Sequence, residues 1–261
     1  MDKSFSLMVA PNGARRMTSD HPALPMSADE LAATAKACQG EGADAIHLHV
    51  READGTHSLD PSRYREAIAA IEGAAPGMAI QITTEAGGIF DVPAQLACLD
   101  ALRPAAASVS IREMARDPQL AARAYALAAE AGTQVQHILY TPACIEQLKA
   151  WRAEGVIREG QDDVIFVLGQ YNPPVPAQPS DLDAFLTVTE GQGLSWTVCA
   201  FGRHEHACLL EAIRRGGNVR IGFENNIHTP EGKLLPGNAA SVRALLDAAC
   251  AVGLVSACPA A

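Results

Sequence analysis

Two histidines, His47 and His49, stand two residues apart in the apolar run AIHLHVRE, residues 45–52. Side chains alternate faces along a β-strand, so both imidazoles project to one side while Ile46, Leu48 and Val50 project to the other. Paired imidazoles on one strand face suit a single divalent ion. Zinc is the metal they suggest, because two histidines and a carboxylate make a common catalytic set. An isolated His-x-His also fits a half-exposed polar strand, so a third ligand must come from elsewhere. Glu224 is the natural one, with Arg220 on the same strand parity before it. An arginine beside a metal suits a carboxylate or enolate that must be held. A structural Arg220–Glu224 ion pair is the competing reading.

These residues need elements to position them. Short β-type runs alternate with Ala-rich helical runs, eight of each. Strands are expected at Phe5–Ala10, Ala45–Val50, Met78–Thr83, Ala106–Ser110, Gln134–Tyr140, Val164–Leu168, Ser195–Phe201 and Asn218–Phe223. Helices are expected near 27–41, 61–73, 92–102, 117–131, 142–153, 180–190, 204–215 and 238–252. Ser27 with Glu30 reads as a capping box, and Asp60-Pro61, Asp91-Val92-Pro93 and Asp117-Pro118 read as helix starts. Eight such units predict a (β/α)₈ TIM barrel, with 1–261 as one domain. A doubly wound open sheet is the alternative, but no G-x-G-x-x-G follows the first strand.

Barrel chemistry gathers at the C-terminal strand ends. There the chain places Asn12, Arg15 and Arg16; His47, His49 and Arg51; Thr83, Thr84 and Glu85; Ser108 and Ser110; Gln136, His137 and Tyr140; and Arg220, Glu224, Asn225 and Asn226. His204 and His206 repeat the His-x-His pattern but open a helix, where residues two apart do not face each other. They are expected to be surface or cap residues, and His21 and His57 to be loop residues.

Hydrophobic content of 48% and charged content of 19% over 261 residues describe a folded chain. A net charge of −10 argues against nucleic acid as a partner. Seven cysteines, an odd number without a CxxC pair, predict reduced thiols and a cytoplasmic protein. No 18-residue apolar window occurs, and the N-terminal apolar core is too short for a signal peptide, so no membrane partner is expected.

Several motifs occur together and in order. They are Ala10-Pro11-Asn12-Gly13-Ala14-Arg15, Asp20-His21-Pro22, His47-Leu48-His49-Val50-Arg51, Gln81-Ile82-Thr83, Phe166-Val167-Leu168-Gly169 and Arg220-Ile221-Gly222-Phe223-Glu224-Asn225-Asn226. Over nearly the whole chain this run resembles the β-keto acid cleavage enzyme family. The resemblance implies a TIM barrel, one catalytic Zn²⁺ per chain, a homotetramer and acetyl-CoA as co-substrate. The implied reaction is of reverse-Claisen type: a β-keto acid and acetyl-CoA give acetoacetate and a new acyl-CoA. By position it makes His47, His49 and Glu224 the zinc ligands and sets Thr83 and Ser108 against the acetoacetyl part. Asn12 and Arg15 join them as expected substrate contacts, and Arg220 as the active-site arginine.

Two positions depart from the family pattern. Asn225 stands where the family usually has an aspartate acting as base, and an amide takes up no proton at neutral pH. Glu85, or a zinc-bound water, is then the expected base, so Arg220, Glu85 and Asn225 are the positions on which catalysis turns. Arg15 stands where family members with amino substrates are acidic, which favours an acidic or neutral substrate tail. The Asn225 change also admits a metal-dependent barrel lyase or aldolase without CoA, or a non-catalytic metal-binding homologue.

Overall fold

Helix starts follow the cap chemistry. In the computed structural model, which describes residues 3–255, Ser27 and Glu30 form the expected capping box at the head of α1 (Ala28–Gly40). Asp60, Asp91 and Asp117 each accept a first-turn N–H, at the starts of α2 (Pro61–Ala74), α3 (Val92–Leu102) and α5 (Pro118–Ala131). Such a cap contributes about 1 kcal/mol. The remaining helices are α4 (Ile111–Met114), α6 (Pro142–Ala153), α7 (Leu182–Thr189), α8 (Glu205–Arg214) and α9 (Asn238–Ala251).

Eight parallel strands close into a barrel. They are β1 (Leu7–Val9), β2 (Ala45–Leu48), β5 (Ala79–Thr83), β6 (Ala106–Ser110), β7 (Gln134–Leu139), β8 (Asp163–Leu168), β9 (Ser195–Ala200) and β10 (Asn218–Ile221), in the closed order β1-β10-β9-β8-β7-β6-β5-β2. The (β/α)₈ expectation holds, with the strands mostly a residue or two shorter than the sequence suggested. Two features were not foreseen. The chain leaves the barrel at His49 and forms a hairpin, β3 (Val50–Arg51) against β4 (His57–Ser58). A single turn, α4, follows β6 directly, capped by Ser110.

Residues of one strand parity, among them Leu7, Val9, Ile46, Leu48, Val164 and Phe166, are buried with the helix layer in the main core. A separate apolar group, Ile138, Ile165, Val167 and Cys199, packs with Tyr140 and Phe201. No helix among the described residues is long and apolar enough to cross a membrane. Cys38, Cys98, Cys144, Cys199 and Cys208 are free and buried. Cys250 is disulfide-bonded, against the all-reduced expectation. Nothing in its Ala-rich surroundings signals this, and Cys258 lies outside the described residues.

Candidate metal centre and pocket

His47 Nε2 lies 3.1 Å from His49 Nε2. Glu224 Oε2 stands 3.8 Å from the first and 3.7 Å from the second. The three ligand atoms all fall within 4.8 Å of one another. His47 Nδ1 donates to Gln81 Oε1 at 2.7 Å, so its Nε2 keeps a lone pair. Glu224 Oε2 is buried and has no hydrogen-bond partner. Burial, then the neighbouring Arg220 charge, holds His47 well below the ordinary imidazole range; burial and His47 do the same to His49. Two neutral imidazoles and an unpartnered carboxylate oxygen converging on one point are a donor set that fits a divalent cation.

Glu224 reaches this point because of how β10 ends. Gly222 has φ 141°, and a β-carbon there would meet Ala10 O at 2.4 Å. The turn is tied by Glu224 N–H to Ala10 O (3.1 Å) and Phe223 N–H to Asn238 Oδ1 (2.9 Å). Gly222 N–H donates to Glu205 Oε1 (3.1 Å). Arg51, buried, donates to backbone carbonyls of Asn12, Gly13, Arg16 and Gly55, which fixes the loop after β1.

The ligands open onto a cavity of about 200 Å³ lined by Asn12, Arg15, Arg16, His47, Thr83, Glu85, Arg112, Tyr140, Tyr171, Arg220 and Glu224, among others. Arg220 donates to Glu224 Oε1 at 3.3 Å. Burial pushes its pKa down, but the Glu224 carboxylate together with Cys199 and Tyr140 outweighs burial and holds the guanidinium firmly charged. The expected ion pair and the expected site are thus the same feature. Glu85 Oε2 lies 4.0 Å from His49 Nε2. Burial, reinforced by the Glu224 and Glu113 carboxylates, pushes Glu85 up to about 7. Arg15 and Arg16 lie over the Tyr171 ring, at 6.0 and 5.3 Å from its centre.

Of the other expected residues, Asn12 lines the cavity and Ser108, Asn225 and His137 do not. Ser108 does not line the cavity; its Oγ donates to Thr83 Oγ1 at 3.3 Å, and Thr83 Oγ1 also accepts the Glu85 N–H at 3.0 Å. Asn225 is fully buried and off the cavity wall, with both side-chain polar atoms unpartnered. Asn12 lines the cavity while its Nδ2 donates to Pro25 O (2.9 Å) and His49 O (3.3 Å). His137 sits at the strand end as expected, but its ring hydrogen-bonds Gln161 O (3.1 Å) and packs on Tyr125 of α5, so it faces the helices.

Two readings of histidines need correction. His57 is not a loop residue: it lies in β4, 3% exposed, 5.2 Å from the His49 ring, and donates to Glu85 O at 2.8 Å. His206 is not at the surface, because α8 packs on α9 and brings its Nε2 within 3.1 Å of Ser241 Oγ. His21 is in a loop, as expected, and is buried there, donating to Leu235 O at 2.7 Å and packed on Phe223. Sequence reasoning also missed Arg112, 3.4 Å above the Tyr140 ring centre on the cavity wall, and the buried Glu205. Arg112 follows Ser110 by two, so reading one turn past the expected strand end would have found it.

Comparison with known proteins identifies the family of the chain. Residues 5–261 match the profile of a family described as beta-keto acid cleavage enzyme. A 3-keto-5-aminohexanoate cleavage enzyme from Fusobacterium nucleatum is 30% identical over 257 residues, 95% of this chain and 92% of that one. A 3-oxoadipate:acetyl-CoA acetyltransferase from Cupriavidus necator is 28% identical, covering 93% of this chain and 87% of that one. Among solved structures, a ternary complex of ObcA with a C4-CoA adduct and oxalate superposes with a TM-score of 0.68 at 14% identity. It covers 89% of this chain and 65% of that longer one, a likeness of fold.

Proposed function

From the premise that the chain belongs to the beta-keto acid cleavage enzyme family, we propose that it acts on a β-keto acid with an acidic or neutral tail, as a zinc enzyme using acetyl-CoA. The bond between the keto carbon and the CH₂–COO⁻ unit breaks. The acyl side passes to CoA, and the CH₂–COO⁻ side joins the acetyl group to give acetoacetate. His47, His49 and Glu224 would hold the zinc, which when bound supplies Lewis-acid polarisation of the keto oxygen.

The protein's own groups do the rest. Glu85, held near neutrality and beside the ligand set, takes a proton from the CH₂ between the two carbonyl carbons. Arg220, fixed by Glu224, holds the carboxylate and stabilises the enolate charge that develops. Thr83 positions Glu85 through the Glu85 N–H, and Ser108 supports Thr83. Arg15, with Arg16, meets the substrate tail.

The observation that carries this reading is the pair of facing Nε2 atoms with an unpartnered Glu224 oxygen beside them, next to an arginine-lined cavity. The tail preference rests on Arg15 and on kinship with an enzyme named for 3-oxoadipate, a dicarboxylate. The test is acetoacetate release from zinc-loaded protein given acetyl-CoA and β-keto acids of varied tail charge. Turnover that needs CoA and favours an anionic tail is expected. A preference for an aminated tail would overturn the tail assignment, and CoA-independent cleavage would overturn the transfer.

A further inference from the structure

Layers inside a TIM barrel are built from alternate strands and are usually filled by bulky apolar side chains. Here three successive alternate strands contribute polar ones instead: Gln81 on β5, Gln136 on β7 and Thr197 on β9, each 5% exposed. None lines the cavity. They form one hydrogen-bonded line that starts at a ligand. His47 Nδ1 donates to Gln81 Oε1 at 2.7 Å, Gln81 Nε2 to Gln136 Oε1 at 3.3 Å, and Gln136 Nε2 to Thr197 Oγ1 at 3.2 Å.

The sense of this line matters. Each carboxamide presents its oxygen toward His47 and its nitrogen away from it. Turning both amides would set Gln81 Nε2 against His47, leave the lone pair on Nδ1 and move the proton to Nε2, where it would face His49 and Glu224. A buried amide whose partner is missing loses a hydrogen bond and keeps its desolvation cost, so the two amides share one sense, and the Thr197 hydroxyl, which can donate or accept, completes the line as the acceptor of Gln136 Nε2. His49 has no such support, since its Nδ1 is buried without a partner.

We propose that Gln81, Gln136 and Thr197 form a positioning relay that holds His47 in the Nδ1–H tautomer, so that metal affinity is set in part from β7 and β9. The proposal rests on the reading that His47, His49 and Glu224 hold the metal. Groups that orient a histidine ligand typically change metal affinity by about 10–100-fold when removed.

The test measures zinc affinity of the full chain by chelator competition, alongside the ¹⁵N spectrum of His47 in metal-free protein. Gln81→Leu, which fills the space without an acceptor, is expected to weaken zinc by about 10–100-fold. Gln81→Glu keeps the acceptor oxygen and is expected to bind zinc at least as tightly as the wild type. Thr197→Val is expected to weaken zinc by a smaller factor that Thr197→Ser restores. In the ¹⁵N spectrum the wild type should show protonated Nδ1, and Gln81→Leu a mixture of tautomers. Equal affinities in all variants, or equal losses in Gln81→Leu and Gln81→Glu, would overturn the relay. A wild type that binds no zinc would instead overturn the metal reading, while the tautomer comparison would still decide the relay.

Discussion

Gly13 and Glu224 pack so closely that a β-carbon on Gly13 would lie 2.5 Å from Glu224 Cγ. Gly13 also has φ 63°, a conformation costing an L-residue about 1–2 kcal/mol. Gly13→Ala should therefore push the Glu224 carboxylate away from His47 and His49. The expected result is at least tenfold weaker zinc binding with only a modest loss of thermal stability. Unchanged metal affinity would show that Glu224 has room to retreat without leaving the site.

Metal removal should abolish turnover. Dialysis against a strong chelator is expected to give folded, inactive protein, and added Zn²⁺ should restore activity. Glu224→Gln should bind zinc more weakly and also loosen Arg220, which the carboxylate holds at 3.3 Å. Metal content and acetoacetate release, measured on the same samples, check both.

Glu85→Gln tests the base. It preserves shape and removes the proton acceptor, so kcat is expected to fall by about 10²–10⁴. Zinc content should not change, because Glu85 stands 4.0 Å from His49 and is not one of the converging ligands. Turnover equal to the wild type would remove Glu85 from the chemistry.

Substrate choice should follow charge at the cavity wall. Arg15→Glu is expected to raise KM for a β-keto dicarboxylate at least tenfold and to improve the aminated analogue, with kcat changed little. Arg112→Met keeps an apolar chain on Tyr140 and removes a cation from the wall. It should raise KM for the anionic substrate or for acetyl-CoA, and comparing acetyl-CoA with acetyl-pantetheine separates the two.

Glu205 should make stability fall as pH rises. It is fully buried, and burial lifts its carboxyl well above the usual range, outweighing the Gly222 N–H and the Asn226 amide that favour the anion. Above roughly pH 4.5 the unfolded chain releases this proton while the folded chain retains it, so unfolding becomes easier with rising pH. Glu205→Gln keeps an acceptor for Gly222 and removes the titration. Its stability relative to the wild type should grow with pH by up to about 1.4 kcal/mol per unit, until the folded carboxyl itself ionises. Denaturant unfolding between pH 5 and 8, taken over that roughly three-unit range, would show a flat difference if Glu205 were already ionised in the fold.

The barrel was legible in the chain because strand and helix periods are local, and because aspartate and serine caps mark where each helix begins. The candidate metal donors were legible for a similar reason: His47 and His49 share a strand face, and Glu224 follows an arginine of the same parity. What escaped notice depends on distant packing. His57 gains its place from a hairpin only two residues wide on each side, and Arg112 from a single helical turn. Gln81 and Gln136 are 55 residues apart, and nothing near either one points to the other. Asn225 was read from its position alone, and the fold keeps its amide off the cavity wall.

Arg51 gives the site a division of labour. Its guanidinium is occupied by the carbonyls of Asn12, Gly13, Arg16 and Gly55, so it clamps the loop that carries Arg15 to the β3–β4 hairpin that directly follows the histidines. A clamp made to main-chain atoms is indifferent to which side chains the loop bears. Position 15 can therefore be exchanged without disturbing the loop's path or the ligand set. In a family whose named members act on amino, dicarboxylate and other β-keto acids, such an arrangement lets new substrates be explored one side chain at a time while the reacting centre stays as it is.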